Sequence, residues 1–101
     1  MANRKLVGRW RASSLGRTAE YTFAANGTFT GSVEVPGRLI ADFMGNWSVA
    51  QNVILYEYTR DAVGSIPART KDCDKLLNAT QDVFTIRAAD GSQRRYVRVA
   101  D

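Results

Sequence analysis

Thr28-Phe29-Thr30-Gly31-Ser32-Val33-Glu34-Val35 alternates without a break. Phe29, Gly31, Val33 and Val35 fall on one side of an extended chain, and Thr28, Thr30, Ser32 and Glu34 on the other, which is the period-two signature of a half-buried strand. Pro36-Gly37 ends the segment, and Ala25-Asn26-Gly27 before it supplies a turn with a residue suited to positive φ. Upstream, Tyr21 and Phe23 belong to another strand. Further back, Leu6, Gly8 and Trp10 share one parity while Arg9 and Arg11 take the other. Downstream, residues 39–50 place Phe43, Gly45, Trp47 and Val49 on one face. After a Gln51-Asn52 turn, residues 53–60 do the same with Ile54, Tyr56 and Tyr58. Residues 61–72, containing Gly64 and Pro67, are the longest irregular stretch. A strand over 74–80, a turn at Gln81-Asp82, a strand over 83–88, the Asp90-Gly91 hairpin signal and a strand over 93–99 complete the pattern.

That makes eight strands with mostly short connections and almost no helical spacing. All ten aromatic residues sit in the strands, on the apolar face wherever parity can be judged, and both prolines sit in loops. A sheet closed around an aromatic interior satisfies this pattern and removes exposed strand edges. A sandwich needs longer crossovers, and only residues 61–72 could serve as one. The expected fold is all-β: an eight-stranded antiparallel up-and-down barrel with little or no helix, spanning residues 1–101 as one domain.

Composition excludes several chemistries. The chain has 101 residues and no His, so Ser–His or Cys–His nucleophile pairs, His metal clusters and a proximal-His haem site are absent. A single Cys forbids an internal disulfide or a Cys-based zinc site. The net charge of +4 comes from 14 Lys+Arg against 10 Asp+Glu. The eleven arginines are scattered along the chain, so they read as a solvated basic surface rather than a nucleic-acid site. No run approaches the roughly 18 apolar residues of a membrane span. No signal peptide is expected within the chain, which leaves the cytoplasm, or the periplasm or exterior if a signal has been removed.

Gly8-Arg9-Trp10, preceded by Leu6-Val7, resembles the Gly-x-Trp signature of the lipocalin and calycin family. The physics fits: Gly allows close approach of a neighbour, and Trp plugs the narrow end of a barrel. Tyr21-Thr22-Phe23-Ala24-Ala25-Asn26-Gly27-Thr28-Phe29 is similar to the second hairpin of small bacterial lipocalin-like domains. Gly45-Asn46-Trp47-Ser48-Val49 with Asn52-Val53-Ile54-Leu55-Tyr56 is similar to their central hairpin, and residues 82–87 and 95–99 to their last two strands. The Thr-Asp-Tyr type motif of larger lipocalins has only a loose counterpart in Thr80-Gln81-Asp82. The resemblance implies that an Arg of the last strand crosses the Trp, with Arg98 the best match and Arg95 the second. It also implies a small apolar ligand.

Candidate site residues follow. Phe43, Trp47, Tyr56 and Tyr58 lie on the two central strands, where they either line the open end of a cavity or simply fill the core. Gly64-Ser65-Ile66-Pro67-Ala68-Arg69-Thr70-Lys71 is a long loop suited to ligand contact. Arg38, Arg69 and Lys71 would form a basic rim for an amphipathic anion such as a fatty acid. Gly8, Trp10 and Arg98 are structural. Glu20 and Glu57 fall on outward parities. Asp72-Cys73-Asp74 is not read as a metal site, and Cys73 is read as a buried small residue or an incidental thiol. Asn-x-Ser/Thr matches at Asn26, Asn46 and Asn78 carry no inference. The chain is thus expected to be a non-enzymatic, cofactor-free, lipocalin-like binder of a small apolar or amphipathic ligand, as a monomer or homodimer. The alternative is a protein-interaction module of the inhibitor or immunity type with a filled barrel. A catalytic isomerisation or cyclisation ranks third because few acids or bases are expected to face inward. A carboxylate with a raised pKa inside the barrel would revive it.

Overall fold

Alternating strands can bury their apolar faces only against one another. In the computed structural model, which describes residues 4–14, 16–63 and 66–99, they do so by closing into a barrel. A 3-10 turn, Arg4–Leu6, leads into β1 (Gly8–Ser14), β2 (Arg17–Phe23), β3 (Thr28–Val35), β4 (Arg38–Ala50), β5 (Val53–Asp61), β6 (Lys71–Ala79), β7 (Val83–Arg87) and β8 (Gln93–Arg98). Each strand pairs antiparallel with the next, and β8 returns to β1. The β4–β5 turn is made by Gln51 and Asn52 at φ 52° and 62°, the left-handed pair that a two-residue hairpin requires. No helix among the described residues is long and apolar enough to cross a membrane.

Strand ends differ from expectation by about a residue, as frayed ends do. The exception is β6. It starts at Lys71 rather than at residue 74, so the irregular connection shrinks to residues 62–70. Lys71, Asp72 and Cys73 pair with Glu57, Tyr56 and Leu55. A hydrophobic pattern cannot detect the start of this strand, because its inward face carries Asp72 and Asp74 where other strands carry apolar residues. Cys73, on the opposite face, is exposed rather than buried.

The interior is aromatic. Trp10, Phe23, Phe29 and Phe84 are fully buried together with Leu6, Ile54 and Ile86. Trp10 meets Phe84 edge-on at 4.7 Å between ring centroids, Phe84 stacks on Tyr96 at 4.7 Å, and Phe23 packs on Trp47 at 4.7 Å. Glycines make room for these rings. Gly31 lies opposite Phe43, and Gly45 opposite Phe29, in the β3–β4 ladder. A Cβ at either would collide with the facing ring, and at Gly45 also with the Glu57 backbone carbonyl. Bulges at Val33/Glu34, Met44/Gly45 and Leu76/Asn78 bend the longer strands around this filling. On the outer wall, Glu20 pairs with Arg9 at 2.6 Å and Arg11 at 3.0 Å. Hydrogen bonds from Arg9, then Arg11, hold its carboxyl below the ordinary range.

One end is sealed by side chains rather than by backbone pairing. The Trp10 indole N–H donates to the Leu6 carbonyl at 2.8 Å. The Arg98 guanidinium carbon sits 4.2 Å from the centre of the Trp10 ring. From there Nε donates to the Gln81 carbonyl, Nη1 to that of Val7 at 2.9 Å and Nη2 to that of Lys5 at 3.1 Å. Arg95 is exposed on the outer face and takes no part. Gly8 adopts φ 132°, a conformation that L side chains rarely adopt, and a Cβ there would collide with Arg98 Nη1. Gly8→Ala is therefore expected to cost about 1–3 kcal/mol in urea unfolding. Arg98→Lys, lacking the planar fork, is expected to recover less than half of what Arg98→Ala loses. Wild-type stability of Gly8→Ala would contradict this account.

Candidate functional site

With Leu6, Trp10 and Arg98 closing one end, the connections β1–β2, β3–β4, β5–β6 and β7–β8 gather at the other. Arg38 opens β4 there and Arg69 lies in the 62–70 connection, so both are at the open end, and both are exposed. Lys71 follows at the start of β6. The connection is held by the Asp61 carboxylate and by backbone hydrogen bonds to β5. Asp61 Oδ1 accepts from the Asp42 and Val63 N–H groups at 3.2 and 3.0 Å, and its Oδ2 accepts from that of Ile66 at 2.9 Å. Ile66 packs against the core. The Arg69 N–H donates to the Tyr58 carbonyl at 2.6 Å, and the Tyr58 N–H to that of Thr70 at 2.8 Å. Gly64 and Ser65 of the expected loop lie outside the described residues.

The four aromatics expected near the mouth are all buried, and they divide between the two halves of the barrel. Trp47 belongs to the closed half, where its indole N–H donates to the Ala24 carbonyl at 3.0 Å. Tyr56 is at mid-height, against Phe29 at 5.4 Å. Phe43 and Tyr58 pack edge-on at 5.2 Å in the open half. These rings fill the barrel against one another.

The pairing of Ile54 with Asp74 and Tyr56 with Asp72 puts both carboxylates on the inward face, contrary to the expectation that few acids face inward. They join Tyr21, Tyr56, Tyr58, Tyr96 and Arg94 in a polar layer beneath the mouth. Tyr21 donates toward the Tyr58 hydroxyl, Tyr56 toward Asp74, and Arg94 toward the Tyr96 hydroxyl. Burial is the main cause that raises the tyrosines. Tyr58 is pushed up to about 12 by burial and then by the charge of Asp72. Burial also raises the Asp74 carboxyl above its ordinary range, against the opposing hydrogen bond from Tyr56. Such a layer can accept, donate or hold a proton next to anything seated in the mouth. Its acids were missed because Asp72 and Asp74 interrupt an otherwise apolar face; the signal that could have revealed them is their shared i, i+2 parity. Among the described residues no group of acids and thiols could hold a metal ion.

The barrel closes unevenly. Between β1 and β8 the register contains only Trp10↔Arg98 and Arg11↔Val97. Toward the open end the two strands run on without cross-strand pairs, and concavities flank this seam. One of about 650 Å³ lies on the outer wall around Arg11, Arg95 and Val97. Another, of about 400 Å³, is at the mouth around Ala12, Ser14, Arg17, Ala19 and Arg94. Arg17 and Arg94 were not among the residues expected to form a basic rim.

No family model matches the chain, and no curated protein matches it. Solved structures do. A protein from Bacteroides uniformis ATCC 8492, determined by NMR, superposes with a TM-score of 0.72 at 18% identity over 96% of this chain and 91% of its own. A lipocalin-like protein from the same organism, determined by crystallography at 1.79 Å resolution, superposes with a TM-score of 0.67 at 17% identity over 94% of this chain and 99% of its own. The closed, consecutively paired eight-stranded barrel of this chain is a lipocalin-like fold.

Proposed function

We propose that the protein binds a small apolar or amphipathic ligand, anionic at one end, in the open mouth of the barrel, and that it holds the ligand without transforming it. The observation that carries this reading is the contrast between the two ends. One is sealed by Leu6, Trp10 and Arg98, while the other has the exposed Arg38 and Arg69 on its connections and tyrosine hydroxyls below them, with Lys71 on the outward face beside Glu57. Phe43 and Tyr58 form the floor on which an apolar part would rest, with Tyr56 and Trp47 supporting it from below. Because the interior is filled, the ligand is small and sits at the mouth rather than deep inside. Native mass spectrometry of freshly purified protein, followed by titration with sodium decanoate, tests this. A co-purified small molecule or a saturable decanoate complex is the expected result. A bare mass in every preparation together with no decanoate complex would overturn it.

Asp74 favours a second reading, in which the carboxyl and Tyr56 move a proton during an isomerisation or cyclisation of the bound molecule. The half-buried carboxyl with its raised pKa is the feature such chemistry uses. Asp74→Asn separates the two readings, since a binder retains its ligand unchanged in that variant whereas a catalyst accumulates unconverted substrate.

The same variant gives a stability test. The folded state holds the Asp74 proton more tightly than the unfolded chain does. Stability from this group is therefore fully present below the ordinary carboxylate range and is lost as pH rises through the raised folded value. Urea midpoints over about pH 3 to 7 should show Asp74→Asn gaining on the wild type as pH rises through that window. Parallel curves would show that Asp74 is not desolvated.

A further inference from the structure

Resting on the binding reading above, we propose that the open half of the β1–β8 seam is the anion subsite. In it Arg17 and Arg94 clamp the oxyanion headgroup of an amphipathic ligand, a carboxylate or a phosphate monoester, over a wall made by Ala12 and Ala19.

The subsite begins where the ladder stops. Beyond Arg11↔Val97 the β1–β8 ladder has no further pair. The concavity of about 400 Å³ at this point is lined by Ala12, Ser14, Arg17, Ala19, Arg94 and Arg95, among others, and no carboxylate lines it. Small side chains on β1 and β2 leave the space, and guanidiniums approach it from β2 and β8. Like charges gathered around one concavity repel each other, and an oxyanion relieves the repulsion. Planar guanidiniums meet carboxylate and phosphate oxygens in bidentate geometry.

Of the nearby acids, Asp74 and Asp90 each share part of the Arg94 charge, and only Glu20 is engaged wholly elsewhere. Asp90, on the β7–β8 turn, accepts from the Ser92 N–H at 2.9 Å and from its hydroxyl at 2.6 Å. Glu20 is held by Arg9 and Arg11 on the outer wall. Arg94 is braced from below, where it donates toward the Tyr96 hydroxyl within reach of Asp74's charge. A guanidinium already oriented in this way loses less freedom when it takes a ligand. The aliphatic part of the ligand would then run from the seam over Ala12 and Ala19 toward the partly buried ring of Tyr21 and the buried ring of Phe43, which pack at 5.6 Å.

Backbone amide NMR titrations of the full chain provide the test, with sodium decanoate, decyl phosphate, inorganic phosphate, 1-decanol and decyltrimethylammonium as probes. Saturable shifts at residues 12–19 and 92–96 are expected with decanoate or decyl phosphate, and the tighter of the two identifies the headgroup. The Arg17→Ala, Arg94→Ala double variant should weaken that binding by about tenfold or more, and Lys75→Ala, on the outer wall, should leave it unchanged. Ser14→Glu, which keeps both arginines but supplies a competing carboxylate, should weaken it too; this variant serves if the double variant does not fold. Decanol binding as tightly as decanoate, or inorganic phosphate binding as tightly as decyl phosphate, would overturn the proposal. So would decanoate shifts that centre on Arg38 and Arg69 and survive the double variant, although the wider binding reading would then stand. No response to any probe would overturn both.

Discussion

A barrel built from consecutive hairpins depends on one step that no hairpin supplies, the joining of its last strand to its first. In this protein the backbone contributes only a short ladder to that joint. The Arg98 side chain supplies much of the rest, because one guanidinium reaches carbonyls in the N-terminal turn, in the residue before β1 and in the β6–β7 turn while covering the Trp10 ring. The lead-in to β1 and the β6–β7 turn are both fixed to β8 by one planar group whose donors point in the required directions. Gly8 belongs to this arrangement, since any side chain there would occupy the place of the guanidinium. The spacing of Gly8 and Trp10 in this chain therefore has a local use: Gly8 admits the Arg98 side chain, and Trp10 gives it a surface to lie on.

The sealed end sets the terms for the rest of the interior. An eight-stranded barrel has little width, and large rings fit only because glycines on β3 and β4 lie opposite them. The apolar filling extends from Leu6 upward until the tyrosine hydroxyls, Asp74 and Arg94 replace it with polar groups. This change of lining makes the two ends chemically different.

Alternation in one strand reveals which residues share a face, and it does so well where one face is apolar. Residues 28–35 and the aromatic parities of Trp47 and Tyr56 were legible for that reason. The preference for Arg98 over Arg95 comes instead from the resemblance, where Arg98 is the better positional match to an Arg near the end of the last strand. Alternation says nothing about which faces meet at the same height, because that depends on register between strands far apart in sequence. Asp74 is brought to Tyr56 by the β5–β6 ladder and to Arg94 from a strand with which β6 shares no ladder, and Arg17 shares a concavity with Arg94 only because the chain closes on itself. The start of β6 was hidden for a simpler reason: its inward positions are acids. The ring positions were thus readable in one dimension, whereas the polar layer and the seam exist only in the assembled barrel.

The bond from Arg98 to the Val7 carbonyl spans a sequence separation of 91 residues, while every other ladder joins neighbouring strands. Hairpin contacts close small loops and can form early, whereas the final joint must bring the two ends of the chain together at a larger entropic cost. The order of folding is thereby implied: the meander zips first, and the ends meet last. Interactions made only after the rate-limiting step act on the unfolding rate rather than on the folding rate. By that logic the Arg98 clasp sets how long the barrel, once closed, stays closed, while the hairpins set how quickly it is built.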